Sequence, residues 1–157
     1  MQKTNAMRIL DKAKIQYKTA EYPVDENDLS GTHVADSVGM PYESVFKTLV
    51  ARGDKTGIIV LCIPVHLELD LKKAARASGN KKLEMIAVKD LLPLTGYIRG
   101  GCSPVGMKKH YPTFIDETAI LFDTICVSGG KVGLNLEISP EVLAGTVDAE
   151  FADLAIS

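Results

Sequence analysis

Val45-Phe46-Lys47-Thr48-Leu49-Val50 sets a single ammonium inside an apolar run that is otherwise made of β-branched, aromatic and leucine residues. A period of two puts Val45, Lys47 and Leu49 on one face and Phe46, Thr48 and Val50 on the other, so a strand buried on both faces also buries the Lys47 stem. Two uses of this lysine stay open on the hexapeptide alone. One is an edge-strand charge that blocks pairing with another chain, its stem snorkelling to water. The other is an ammonium at the floor of a cleft, where it meets an anionic or carbonyl group and burial tunes its pKa.

Downstream of the hexapeptide, the polar turn Arg52-Gly53-Asp54-Lys55-Thr56-Gly57 leads to an apolar strand over residues 58–63, and the two strands are expected to form a hairpin. Upstream, Thr32 is the expected N-cap of a short helix over 34–38 that Gly39 stops. The acidic, turn-rich segment 25–31 before it reads as a surface loop bordering a cleft. At the start of the chain Thr4 caps a helix with Met7, Ile9, Leu10 and Ala13 on its apolar face, running out near Lys14. A strand over 15–22 follows, closed by Pro23.

Beyond the hairpin, Leu71, Ala74 and Ala75 against Lys72, Lys73 and Arg76 make an amphipathic helix from Asp70 to the Gly79-Asn80 stop. A strand over 83–86, a helix over 88–92 cut short by Pro93, a strand over 113–115, a brief helix over 117–121 and a strand over 124–127 come next. Ser128-Gly129-Gly130 turns the chain back along 131–137. Ser139-Pro140-Glu141 then starts a last helix with a cap, an N1 proline and an acidic first turn. Helices and strands mix without a strict βαβ alternation. The pattern predicts a single α+β domain over 1–157, with a central mixed sheet curled toward a barrel and flanked by helices.

Composition narrows the function. The chain has 157 residues, 46% of them hydrophobic, enough for one core. No apolar run approaches the ~20 residues of a membrane span, and the N-terminus MQKTNAMRIL lacks a signal-peptide core, so a cytoplasmic protein without membrane attachment is expected. Three dispersed cysteines, Cys62, Cys102 and Cys126, fit neither a disulfide framework nor a zinc site. His33, His66 and His110 lack ligand spacing, and neither GxxxxGK[ST] nor GxGxxG is present, so no metal and no cofactor is expected. A formal charge of −2 gives no global field for holding nucleic acid.

The second unusual stretch is Gly96-Tyr97-Ile98-Arg99-Gly100-Gly101-Cys102-Ser103-Pro104-Val105-Gly106, which carries four glycines and a proline in 11 residues. Such a backbone needs special dihedrals or close approach to something. Consecutive N–H groups at Gly100 and Gly101 would hold a carbonyl oxygen as charge develops on it, with Gly101 the candidate for close approach. The plainer use of the pair is steric relief in a tight connection. Cys102 invites a nucleophile reading but has no base placed by sequence, so it reads better as an apolar filler, as do Cys62 and Cys126. Tyr22, Thr48, Ser103 and Asn135 are polar groups suited to orienting a ligand, though each type is more often a satisfied core or surface residue.

In order and spacing, Phe46-Lys47-Thr48-Leu49, the glycine loop 96–106 and Val127-Ser128-Gly129-Gly130-Lys131-Val132-Gly133-Leu134 resemble the YbaK/EbsC family of aminoacyl-tRNA deacylases over nearly the whole chain. The resemblance is to its free-standing Cys-tRNA(Pro) deacylase branch, related to the editing domain of prolyl-tRNA synthetase. It implies that Lys47 is the catalytic lysine, that Gly101 lies against the substrate carbonyl or ribose end, and that Tyr22 and Thr48 form the pocket wall; Gly100, Ser103 and Asn135 are the further candidate substrate contacts. Asn135 stands where close relatives carry Asp. The implied activity is trans-editing, removal of cysteine from Cys-tRNA(Pro) with the substrate thiol as nucleophile. Alternatives are a deacylase for Ala- or Ser-charged tRNA, or a non-catalytic module that binds tRNA or a synthetase. The implied partners are the 3′ aminoacyl end of a mischarged tRNA and prolyl-tRNA synthetase. Lys108 and Lys109, which directly follow the glycine loop, are the candidate tRNA contacts.

Overall fold

Thr4 does start the first helix. Its Oγ1 accepts from Met7 N–H at 3.2 Å, and α1 (Asn5–Lys12) buries Ala6, Met7 and Leu10 while Ile9 turns outward at 37% exposure. The computed structural model describes residues 2–25, 27–28 and 30–156. Lys14 takes a left-handed φ of 59°, and Ile15 N–H returns to the Leu10 carbonyl at 3.0 Å. These residues finish the helix in a Schellman arrangement, so β1 (Lys18–Glu21) is shorter than expected.

The cap of α2 (Gly31–Val38) is Ser30, two residues before the expected Thr32, because the Ser30 hydroxyl accepts from His33 N–H at 3.3 Å. The hairpin forms as expected: β2 (Phe46–Gly53) and β3 (Gly57–Pro64) pair antiparallel from Phe46↔Pro64 to Gly53↔Gly57. Buried Asn80 clamps the turn, its Oδ1 accepting from Lys55 N–H at 2.9 Å and Thr56 N–H at 3.0 Å. In α3 (Leu71–Ser78), capped by Asp70, Ala74 and Ala75 are buried but Leu71 is exposed.

After β4 (Leu83–Met85), α4 (Val88–Thr95) continues through Pro93 instead of stopping there. Proline at this position removes only a bond to the Lys89 carbonyl; both residues lie on the exposed face, where water substitutes. Then come β5 (Thr113–Asp116), a 3-10 turn in place of the expected helix at Glu117–Leu121, β6 (Ile125–Ser128), β7 (Leu134–Ile138) and α5 (Pro140–Val147). A strand absent from the sequence reading, β8 (Ala149–Ala152), runs parallel to β5.

The domain is α+β, but no sheet is curled into a barrel. The strands form a five-stranded sheet, β4-β2-β3-β5-β8, and a three-stranded sheet, β1-β7-β6. The sheets touch through one parallel bridge, Val45↔Cys126, too short to carry a hydrogen-bonded ladder around a closed wall. Alternation along β3 feeds two cores. Ile59, Leu61 and Ile63 pack with Ala74 and Ala75 of α3, whereas Cys62 joins Phe46, Leu10 and Ile125 under α1. β2 lies between β3 and β4, but β4 pairs only with Ala51 to Gly53, so at Lys47 the strand has β3 on one side and no strand on the other.

Candidate active site

β2 and β6 meet at the Val45↔Cys126 bridge and share no further pairing, while β4 reaches only Ala51 to Gly53 at the far end of β2. Between these contacts one side of β2 carries no strand. Val45 C=O accepts from Val65 N–H on the β3 side at 2.8 Å, and Val50 C=O accepts from Ile86 N–H on the other side at 3.3 Å. Backbone alternation therefore turns the N–H and C=O of Thr48 away from β3 and into this gap.

A cavity of about 370 Å³ opens there. Phe46, Lys47, Thr48 and Leu49 all line it, as consecutive residues do only where a cavity follows a strand's edge. Ser128 of β6 and Asn135 of β7 stand on the opposite sheet. Tyr22 follows β1; Ser30, Gly31 and Val34 come from the start of α2; Arg99, Gly100 and Cys102 come from the glycine loop. The volume sits at the small end for ligand sites and suits one small group rather than a polymer.

Lys47 is half-buried, and desolvation draws its pKa below the usual 10.5, opposed only in part by the Glu68 carboxylate. Among the described residues it makes no ion pair, and no carboxylate lines the cavity. A partly desolvated ammonium that no carboxylate contacts directly among the described residues is suited to an anion or a polarised carbonyl. Arg99 adds a second, exposed cation at the rim. Asn135 is 4% exposed, yet its amide makes no hydrogen bond among the described residues and so keeps its donors and acceptor for the cavity. Thr48 Oγ1 lies 3.8 Å from Cys62 Sγ, and Tyr22 is anchored by its N–H to the Gly133 carbonyl at 2.9 Å.

The structure separates the remaining candidates. Gly100, at φ 84°, lines the cavity, but Gly101 does not. The Gly101 N–H donates to Ile98 C=O at 3.0 Å, and a Cβ there would lie 2.8 Å from Val132 N and 2.9 Å from the Lys131 Cα and carbonyl carbon. Its close approach is thus to the chain's own backbone, and its N–H is taken by the turn. Ser103 is fully buried away from the cavity, its Oγ accepting from Val105 N–H at 3.2 Å. Lys108 and Lys109 are exposed and outside the lining; the Lys108 stem packs over Gly96. Ser30, Gly31, Val34, Val65, Arg99 and Ser128 were not singled out by the sequence as site residues; only Arg99 and Ser128 stood inside the conspicuous motifs.

Cys102 lines the cavity, but burial pushes its thiol up to about 11, and no histidine lies in the lining to deprotonate it. Cys62 and Cys126 are pushed up to about 12 by burial. Among the described residues no three His, Cys, Asp or Glu side chains group as metal ligands, and no helix is long and apolar enough to cross a membrane.

Residues 30–145 match the aminoacyl-tRNA editing domain. The chain is 50% identical over 153 residues to an Enterococcus faecalis protein provisionally named Cys-tRNA(Pro)/Cys-tRNA(Cys) deacylase EbsC, covering 98% of this chain and 93% of that one. It is 24% identical over 110 residues to the uncharacterized Bacillus subtilis protein YwhH, covering 70% and 69%. A crystal structure described as a candidate trans-editing enzyme for prolyl-tRNA synthetase superposes over 100% of both chains with a TM-score of 0.85 and 25% identity.

Proposed function

The chain belongs to the aminoacyl-tRNA editing domain family and is an aminoacyl-tRNA deacylase, and from that premise we propose that it removes cysteine mischarged onto tRNA(Pro). The observation that carries the reading is Lys47, a half-buried ammonium that makes no ion pair among the described residues, at the edge of a cavity of aminoacyl size. Its charge holds the ester and stabilises negative charge as it grows on the carbonyl oxygen. The Thr48 N–H that points into the gap supplies a neutral donor, and the Gly100 backbone lines the same cavity. Asn135, Ser128 and Tyr22 orient the aminoacyl group.

With no protein nucleophile and base paired in the lining among the described residues, the substrate's thiol attacks its own ester carbonyl. A carbon–sulfur bond forms, the ester carbon–oxygen bond breaks, the thiol proton passes to the departing ribose hydroxyl, and cysteine leaves as a cyclic thiolactone. Tethering nucleophile to electrophile supplies much of the rate, and the cavity's part is to hold them aligned.

Choice of tRNA comes from a partner, prolyl-tRNA synthetase, because a net charge of −2 leaves only short basic groups such as Arg99 at the rim and Lys108-Lys109 farther out to touch phosphate. The deciding assay presents tRNA(Pro) charged with cysteine, alanine or serine, with and without the synthetase. Fastest loss of cysteine, as thiolactone, supports the reading. Faster loss of alanine or serine moves the substrate to that amino acid, and strong tRNA discrimination by the isolated protein overturns the partner.

A further inference from the structure

Where the start of α2 meets the end of β3, one wall of the cavity leaves no room for an added side-chain carbon. Gly31, the first residue of α2, and Val65, just beyond β3, both line the cavity. A Cβ on Gly31 would lie 2.5 Å from Val65 Cγ1 and 2.6 Å from Val65 Cβ. Gly31 has no left-handed φ that would demand glycine, and at the first helical turn alanine is the better helix former. The glycine is therefore explained by the approach of α2 to Val65. The two sides of the contact differ in how far they can yield. Val65 is β-branched, its N–H is bonded to Val45 C=O at 2.8 Å, and its side chain packs with Val45, Ala35 and Cys126. By contrast α2 is eight residues long and buries only Ala35.

We infer that the Gly31–Val65 contact is the size gate of the cavity, fixing how closely α2 stands over the bound aminoacyl side chain and so which amino acids are admitted. The inference rests on the deacylase reading and names the residues that set its substrate range. Adding a Cβ at position 31 moves the helix and not the valine, so Gly31→Ala widens the cavity. Val65→Ala also widens it, by removing the γ-carbons. In Gly31→Ala/Val65→Ala the new methyl occupies the space the valine left, and the spacing returns toward that of the wild type.

The test measures deacylation of one tRNA carrying cysteinyl, homocysteinyl or the bulkier β,β-dimethylcysteinyl group, each of which carries the thiol the reaction uses, and takes the ratio of large to small substrate for each variant. A ratio within one variant is independent of how much of it is folded. Each single substitution is expected to raise the ratio roughly tenfold, the scale of one methylene in an apolar pocket. The double variant is expected to fall back below either single variant. An unchanged ratio in both single variants, or a double variant whose effects simply add, overturns the gate. If the wild-type protein cleaves none of these esters, the deacylase reading falls and the gate with it; if it cleaves them and the ratios stay flat, only the gate falls.

Discussion

Gly101→Ala is expected to destabilise the protein through its own backbone. The added Cβ would meet Val132 N at 2.8 Å and the Lys131 Cα and carbonyl carbon at 2.9 Å, with no flexible side-chain end among these atoms to swing away. Relief requires the loop to retreat from residues 131–132. Overpacking of this kind costs about 1–3 kcal/mol, and a rigid neighbour puts the value in the upper half. For a domain of this size about 1 kcal/mol corresponds to about 2–4 °C in Tm, so a fall on the order of 4–12 °C is expected. Because Gly100 and Cys102 line the cavity on either side, the retreat also lowers kcat/KM when measured well below the melting point. Thermal denaturation by circular dichroism, with deacylation assayed at low temperature, reads both effects. A Tm within about 1 °C of the wild type would refute the backbone-contact explanation.

Glu68→Gln tests the electrostatics around Lys47. Burial lowers the Lys47 pKa and Glu68 raises it, so removing the carboxylate lowers it further. If the ammonium is the active form, activity is lost as pH rises through this pKa. The descending limb of kcat/KM against pH then moves to lower pH in the variant, and an unmoved or upward-shifted limb contradicts the assignment. Replacing Cys62, Cys102 or Cys126 singly by alanine is expected to keep most of the deacylation rate, since all three thiols are buried, protonated and unassisted. Trapping of a covalent intermediate on Cys102 would sink this.

The capped helices were readable because their signals are local. Thr4, Asp70 and Ser139 each accept from backbone N–H groups within three residues. What escaped depends on distant partners. β8 (Ala-Glu-Phe-Ala) has little intrinsic strand preference and exists because β5 offers an edge, beside which Asp116 accepts from Leu154 N–H at 3.0 Å and Ala155 N–H at 3.2 Å. The barrel expectation failed for a similar reason, since strand periodicity does not tell whether two sheets join by a ladder or by one bridge. Lys47 and Gly100 were visible as oddities within their own segments, and both line the cavity. Gly101 looked the same from sequence, but whether a glycine accommodates a ligand or another stretch of chain is decided by what lies against it. Gly31 and Val65 carry no local signal, because their contact joins a helix start to a strand end 34 positions along the chain.

The measurement closest to the central claim compares Lys47→Ala and Lys47→Arg with the wild type on Cys-tRNA(Pro), alongside the melting of each protein. Losing a charged group that stabilises the carbonyl oxygen costs about 10²–10³ in rate. Lys47→Ala is expected to fall by at least that factor with its Tm unchanged or raised, because burial disfavours the ammonium. Lys47→Arg is expected to fail as well, since a planar guanidinium does not reproduce a compact ammonium in a confined gap. Folded Lys47→Ala protein that deacylates at nearly the wild-type rate would contradict the account.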